Sequence, residues 1–289
     1  SGFSSDALIE DFSAGTTISS VTTNYADYHY TALYARIGYN YDEKYIVNLT
    51  GRRDGSSRFG KGNQFGNFGA IGAAWIFSKE KFVKSVVPFL SLGKLRASLG
   101  KTGNDQLEDY AYLSTYKNYT GSYLGVGTIT PSNLSNPLYG WETINKLEGA
   151  LELGFLNDKI LINTSYYRNR TSNQLVGYSL PEITGFPKVI ANLPAVIENK
   201  GLEVEIHTIN LKKKNSSWTT NANISFPRNK LVSFPNIAAT SYGQTYAVGQ
   251  PLSISYSYVY QGIDPNTGVY KLADLNKDGN ITSIADKVP

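Results

Sequence analysis

The chain is 289 residues long, 41% hydrophobic and 13% aromatic, with 22 Tyr against 12 Phe and 3 Trp, and a formal charge of +4. Such aromatic content at so low a net charge excludes a disordered chain, and a weak, dispersed positive balance gives no footing for nucleic acid. Cys is absent and the two His, His29 and His207, stand far apart, which excludes thiolate chemistry and argues against a His-built zinc or catalytic site.

Residues 1–28 show no periodicity and are read as an irregular N-terminal segment; residues 29–289 read as one β unit. The longest near-continuous apolar run, Gly69 to Phe77, is about half the ~20 residues of a spanning helix. From His29 to Tyr41, Leu33, Ala35, Ile37, Tyr39 and Tyr41 alternate with Tyr34, Arg36, Gly38 and Asn40, the period of a two-faced strand. After Asp42-Glu43-Lys44, a second strand runs from Tyr45 to Asp54, with Val47 and Leu49 on one face and Asn48, Thr50 and Arg52 on the other. Phe65–Phe77 is a third. Further strands centre on Leu95/Ala97/Leu99, Leu147/Leu151/Leu153/Phe155, Ile160/Ile162/Thr164/Tyr166, Leu202/Val204/Ile206 and Ala222/Ile224/Phe226, and Ile254–Gly262 is the last. About nine strands of ~9–13 residues result, longer than the usual ~5–6 and suited to a tilted membrane-spanning strand of ~9–11.

Alternation alone fits either a soluble sandwich or a membrane barrel. The connections favour the barrel, whose turns are short at one end and long at the other. Asp42–Lys44, Asn157–Lys159 and Leu211–Ser217 are short; Gly55–Gln64, Thr102–Asn145, Asn169–Ala195 and Pro227–Leu252 are long. Ser78–Pro88 is intermediate, and Ser78-Lys79-Glu80-Lys81-Phe82 suits one helical turn. Tyr39, Tyr41, Tyr45, Trp75, Phe77, Phe155, Tyr166 and Trp218 lie at strand ends, as in an interfacial aromatic belt. Arg36, Arg52, Arg96, Glu148, Glu152, Glu203 and Glu205 all fall on polar faces, while Arg53 takes the opposite parity and belongs near an interface.

Several strings carry a resemblance. Tyr39-Asn40-Tyr41-Asp42-Glu43-Lys44-Tyr45 leads into Arg52-Arg53-Asp54-Gly55-Ser56-Ser57-Arg58-Phe59-Gly60, and Gly72-Ala73-Ala74-Trp75-Ile76 follows. Lys94-Leu95-Arg96-Ala97-Ser98-Leu99-Gly100-Lys101-Thr102-Gly103-Asn104-Asp105 comes next. Then come Trp141-Glu142-Thr143, Asn199-Lys200-Gly201-Leu202-Glu203 and Phe226-Pro227-Arg228-Asn229-Lys230. In order and spacing they resemble the SusC/RagA family of TonB-dependent transporters, over roughly residues 30–289. The resemblance implies an all-β chain, an antiparallel transmembrane β-barrel wall segment of a 22-stranded barrel with long extracellular loops. It implies the cell outer membrane of a Bacteroidota-like Gram-negative bacterium and import of oligosaccharides or peptides. It further implies a SusD-like surface lipoprotein over the outer mouth and energy from the TonB complex through a plug domain not recognisable in this chain. Outer-membrane lipid would surround the wall.

Asp274, Asn276, Asp278, Gly279 and Asn280 match the start of an EF-hand-type loop, a possible structural calcium site over 274–286. Its twelfth position is Ala285, with Asp286 one place late. Tyr119, Tyr123, Tyr139 and Trp141, next to Asn118, Asn133 and Asn136, suit stacking against a sugar. The runner-up reading is a soluble calcium-stapled β-sandwich that grips glycan through these loops. A third, a glycan-degrading enzyme, would need Glu142 and Glu148 as its paired carboxylates; nothing in their spacing demands that, so no enzyme is expected.

Overall fold

The structure, a computed structural model, describes residues 25–123, 126–186, 188–282 and 286–288; most of the irregular segment 1–28 therefore lies outside the described residues. In chain order the strands are β1 (Tyr30–Tyr41), β2 (Tyr45–Ser56), β3 (Phe65–Trp75), β4 (Leu90–Asn104), β5 (Thr115–Tyr123), β6 (Val126–Asn133), β7 (Glu142–Phe155), β8 (Ile160–Ser179), β9 (Lys188–Lys213) and β10 (Ser216–Ser233). Four short ones follow: β11 (Ser257–Tyr258), β12 (Tyr260–Ile263), β13 (Tyr270–Leu272) and β14 (Lys287–Val288). A 3-10 turn, Phe77–Lys79, and a short helix α1 (Lys81–Val86) join β3 to β4.

One antiparallel sheet carries the architecture, in the order β1-β2-β3-β4-β7-β8-β9-β10. Sequential neighbours pair throughout, except that the β5–β6 hairpin is looped out between β4 and β7. The tight turns are built for it. Asp42 and Glu43 both take positive φ (52° and 50°), and Lys44 N donates to Tyr41 O at 3.0 Å; left-handed central residues match a hairpin to the twist of its strands. At the β7–β8 turn, Asp158 accepts from Ser91 Oγ at 2.7 Å, which ties it to β4.

The register aligns the apolar residues of successive strands. Ile37 stands opposite Leu49, Leu49 opposite Ile71, Ile71 opposite Leu99 and Leu99 opposite Leu147. Farther along, Ile162 faces Ile206 and Ile206 faces Ala222. This apolar face is left uncovered: Leu33 is 78% exposed, Leu99 56% and Leu202 41%. The sandwich expectation is thereby overturned, because among the described residues no second sheet lies on it. Leucines in this state persist only against hydrocarbon or a partner.

Several boundaries differ from the sequence reading; β10, for one, runs on to Ser233, into the presumed loop Pro227–Leu252. The presumed loop Asn169–Ala195 is mostly strand, since β8 continues to Ser179 and β9 starts at Lys188. These extensions rise beyond the apolar band, where nothing imposes greasy/polar alternation. Ile254–Gly262 is not a strand of the sheet; it breaks into β11 and β12, which pair with β14 and β13.

Candidate functional site

The polar face of the sheet carries a graded charge. On β1, β2 and β4 it presents Arg36, Arg52, Lys94 and Arg96; on β7 and β9 it presents Glu148, Glu152, Glu203 and Glu205. The two halves meet at β4–β7. Lys94 Nζ lies 3.2 Å from both Glu152 oxygens, Arg96 Nε donates to Glu152 Oε1 at 3.0 Å, and Arg96 Nη1 donates to Glu148. Nearer the long-loop end, Arg52 Nε bonds both oxygens of Asp54 (2.6 and 2.7 Å), and its Nη2 donates to Tyr30 Oη at 2.8 Å. On the acidic side only long contacts are made: Ser165 Oγ to Glu203 and Asn163 Nδ2 to Glu205, both 3.4 Å. His207 Nδ1 and Asn221 Oδ1 lie 2.5 Å apart lower on this face.

Above this face the loops form a packed rim. Phe59 is fully buried and lies 4.9 Å from the Trp141 ring and 5.9 Å from that of Tyr139. Tyr139 is 1% exposed, its hydroxyl donates to Arg58 O at 3.0 Å, and burial, with Tyr112 nearby, pushes that hydroxyl up to about 12. Trp141 is half-buried and donates to Gln64 O at 3.1 Å. Arg58 pairs with Asp109 at 2.8 Å and lies over the Tyr28 ring at 4.2 Å. A second core, Leu193, Ala195, Leu231 and Phe234 with Tyr242 and Tyr246, packs the post-β10 segment onto the sheet. Leu231 faces Ile197 in the ladder, on the parity of Glu203, so this core belongs to the polar side.

Of the aromatics chosen from sequence, Tyr139 and Trp141 come together, as rim core: the Tyr139 ring is covered by protein, and Trp141 keeps a partial face. Tyr119 and Tyr123 fall in β5, and their side chains lie outside the described part. Sequence reasoning missed Phe59 and Asn192, which anchor the rim; the RDGSSRFG string contained Phe59, but nothing in it indicates burial.

The 274–286 loop has donor types suited to a hard cation, and its oxygens also accept hydrogen bonds from the loop itself. Asp274 accepts from Gly279 N at 2.8 Å and Asp278 N at 3.2 Å, and Asn276 Nδ2 donates to Asp278 Oδ2 at 2.7 Å. Asp278 Oδ1 accepts from Asn280 N at 2.8 Å. Asp286, 0% exposed, accepts from Leu275 N at 2.8 Å and Thr282 N at 2.7 Å. Those amides, Thr282 first, hold its carboxyl below the usual range. Among the described residues no group of three or more His, Cys, Asp or Glu gathers to hold a metal ion; Ala285, at the loop's twelfth position, lies outside the described residues. Nor are Glu142 and Glu148 a catalytic pair. They lie six residues apart on one face of β7, about 20 Å by strand rise, well beyond the ~5–9.5 Å of a glycosidase.

A two-faced sheet with one greasy side, a charged inner side and loops at one end is the wall of an outer-membrane barrel. Residues 3–281 match the profile of the family described as TonB dependent receptor-like, beta-barrel. This chain belongs to that family. That family is one of receptor barrels and not of enzymes. It is 32% identical over 268 residues to TonB-dependent receptor P39 of Formosa agariphila, covering 93% of this chain and 25% of that protein. To TonB-dependent receptor SusC of Bacteroides thetaiotaomicron it is 28% identical over 273 residues, covering 86% and 27%. The chain thus spans about a quarter of the length of these curated relatives. Its fold is similar to that of the RagAB peptide importer in the closed-closed state, with a TM-score of 0.74 at 23% identity, covering 98% of this chain and 31% of that one.

Proposed function

We propose that this chain forms part of the barrel wall and outer loops of a SusC-like TonB-dependent importer of the outer membrane, carrying oligosaccharides or peptides. The observation that carries the reading is the division of the sheet: Leu33, Leu99 and Leu202 uncovered on one side, the Lys94–Arg96–Glu148–Glu152 network on the other. An apolar exterior dissolves in lipid and a polar interior keeps a passage wet. In this proposal the packed rim supports the outer mouth, a SusD-like lipoprotein closes over it, and the TonB complex acts through a plug supplied by residues beyond this chain. Glu203 and Glu205, which have only long contacts, offer the wall's acidic side to plug or cargo. The 274–286 loop enters as a staple closed by its own hydrogen bonds, with Asp274, Asn276, Asp278, Asn280 and Asp286 as the donors for a structural calcium ion.

The test is uptake of a labelled oligosaccharide or peptide by cells with and without the receptor containing this chain. Uptake is expected to need both the receptor and an energised TonB complex. Uptake that is unchanged when the receptor is deleted would refute the import role.

A further inference from the structure

We propose that the outward face of this wall carries a basic collar that binds phosphate-bearing headgroups of outer-leaflet glycolipid. The inference rests on the barrel-wall reading above and adds a ligand to it. On outward positions between the tight turns and the collar, the described strands carry no Asp, Glu, Lys or Arg. At the first outward position beyond the apolar or small residues stand Arg53 on β2, Lys101 on β4, Arg168 on β8, Lys200 on β9 and Arg228 on β10. The ladder shows these to be neighbours: Leu147 faces Arg168, Arg168 faces Lys200 and Lys200 faces Arg228. One rung higher, Arg170 faces Glu198 and Glu198 faces Lys230. All of this lies at the long-loop end.

The densest part, on β8, β9 and β10, is built rather than incidental. Glu198, with a side chain 8% exposed, takes Arg168 Nε at 2.7 Å and Arg170 Nε at 2.8 Å on the same oxygen, and Lys200 Nζ lies 3.8 Å from its other one. One buried carboxylate thus fixes two guanidinium groups by their inner nitrogens. Their terminal Nη atoms have no hydrogen-bond partner among the described residues, nor do the side chains of Arg228 and Lys230. The patch holds five cations, three of them paired with Glu198, against one anion, so it stays strongly positive. Arg terminal nitrogens suit phosphate oxygens, and the patch is continuous with the lipid-facing apolar stripe. Charge complementarity and this height together select a lipid headgroup, where each basic side chain contributes about fivefold in affinity at low salt.

The experiment uses the complete barrel that contains this chain, purified in neutral detergent, incubated with lipid A and repurified, with bound lipid counted by native mass spectrometry. The wild type is expected to retain lipid A, and the variant Lys200→Gln/Arg228→Gln/Lys230→Gln to lose it by about fivefold per charge removed. The charge-preserving Arg228→Lys/Lys230→Arg variant should retain it. Equal retention by the neutralised variant, or wild-type retention no better than that of phosphatidylcholine, would overturn the proposal. So would displacement of lipid A by equimolar inorganic phosphate, which would make the patch a free-anion site. Should the neutralised variant not fold, wild-type retention is followed as ionic strength rises from about 0.01 to about 1 M, cutting the screening length from about 30 to about 3 Å. Retention must then fall steeply, and a flat response overturns the collar. Failure of the barrel reading itself looks different: a wild type stable without detergent and holding no lipid of any kind.

Discussion

Asn192 and Gly140 exchange two hydrogen bonds: Asn192 Nδ2 donates to Gly140 O at 2.9 Å, and Gly140 N donates to Asn192 Oδ1 at 2.8 Å. The same amide nitrogen also donates to Asn173 O at 2.8 Å. One side chain on β9 therefore holds both the connector before β7 and the upper part of β8. Asn136 Nδ2, which donates to Ile190 O at 2.7 Å, is a second tie between the same connector and β9.

Asn192→Ala removes acceptor and donor together and leaves the Gly140 amide unpaired. A loss of about 1–3 kcal/mol in local opening is expected. Hydrogen exchange of residues 134–141 should accelerate accordingly, while the lower ladders of β7 and β8 stay protected. Unchanged exchange would mean the rim is held without this residue.

Leu202 and Glu203 are adjacent residues on opposite faces. Val204→Arg, one outward position deeper than Leu202, places charge well inside the apolar band and should cost about 2–4 kcal/mol. Glu203→Gln should stay within about 0.5 kcal/mol, as for a surface change. Denaturant unfolding of the barrel in detergent or vesicles measures both. Equal costs would contradict the assignment of faces.

Glu152→Gln removes the carboxylate shared by Lys94 and Arg96, both partly solvated. Exposed pairs contribute little, so a change below about 1 kcal/mol is expected. The network's role is then to line the passage, and its loss should alter uptake or plug seating more than unfolding.

The Asp286 carboxyl is held below its ordinary value by the Thr282 and Leu275 amides. A depressed folded value contributes stability that is present above the unfolded value of about 3.9 and is lost as pH falls through the folded one. Amide exchange over 274–282 should therefore rise in acid below about pH 4. Asp286→Asn should give a looser loop at neutral pH with little further change in acid.

The sheet was readable where hydrocarbon dictates the sequence. Ile37, Leu49, Leu99, Leu147, Leu202 and Ile206 are there because one face meets lipid, and that period marks the strands. Above the band, Asn169–Ser179 and Lys188–Ala195 no longer meet hydrocarbon, so the same strands continue without a period and read as a link. The rim was legible only as a cluster of aromatics. Burial of Phe59 and Tyr139 depends on two loops, 57–64 and 134–141, meeting across a large sequence separation. The loop at 274–286 showed its donors but not their use, because composition does not reveal that Asp286 turns inward to backbone amides.

The central claim is that even-numbered residues of β9 from Leu202 to Ile206 touch lipid while odd-numbered ones face the interior. The chain has no Cys, so, in a barrel with any Cys outside this chain replaced, single Leu202→Cys and Glu203→Cys variants can each carry one fluorophore after reconstitution with bromine-labelled lipid. Strong quenching at 202 with weak quenching at 203 is predicted. Equal quenching, or stronger quenching at 203, would contradict the account.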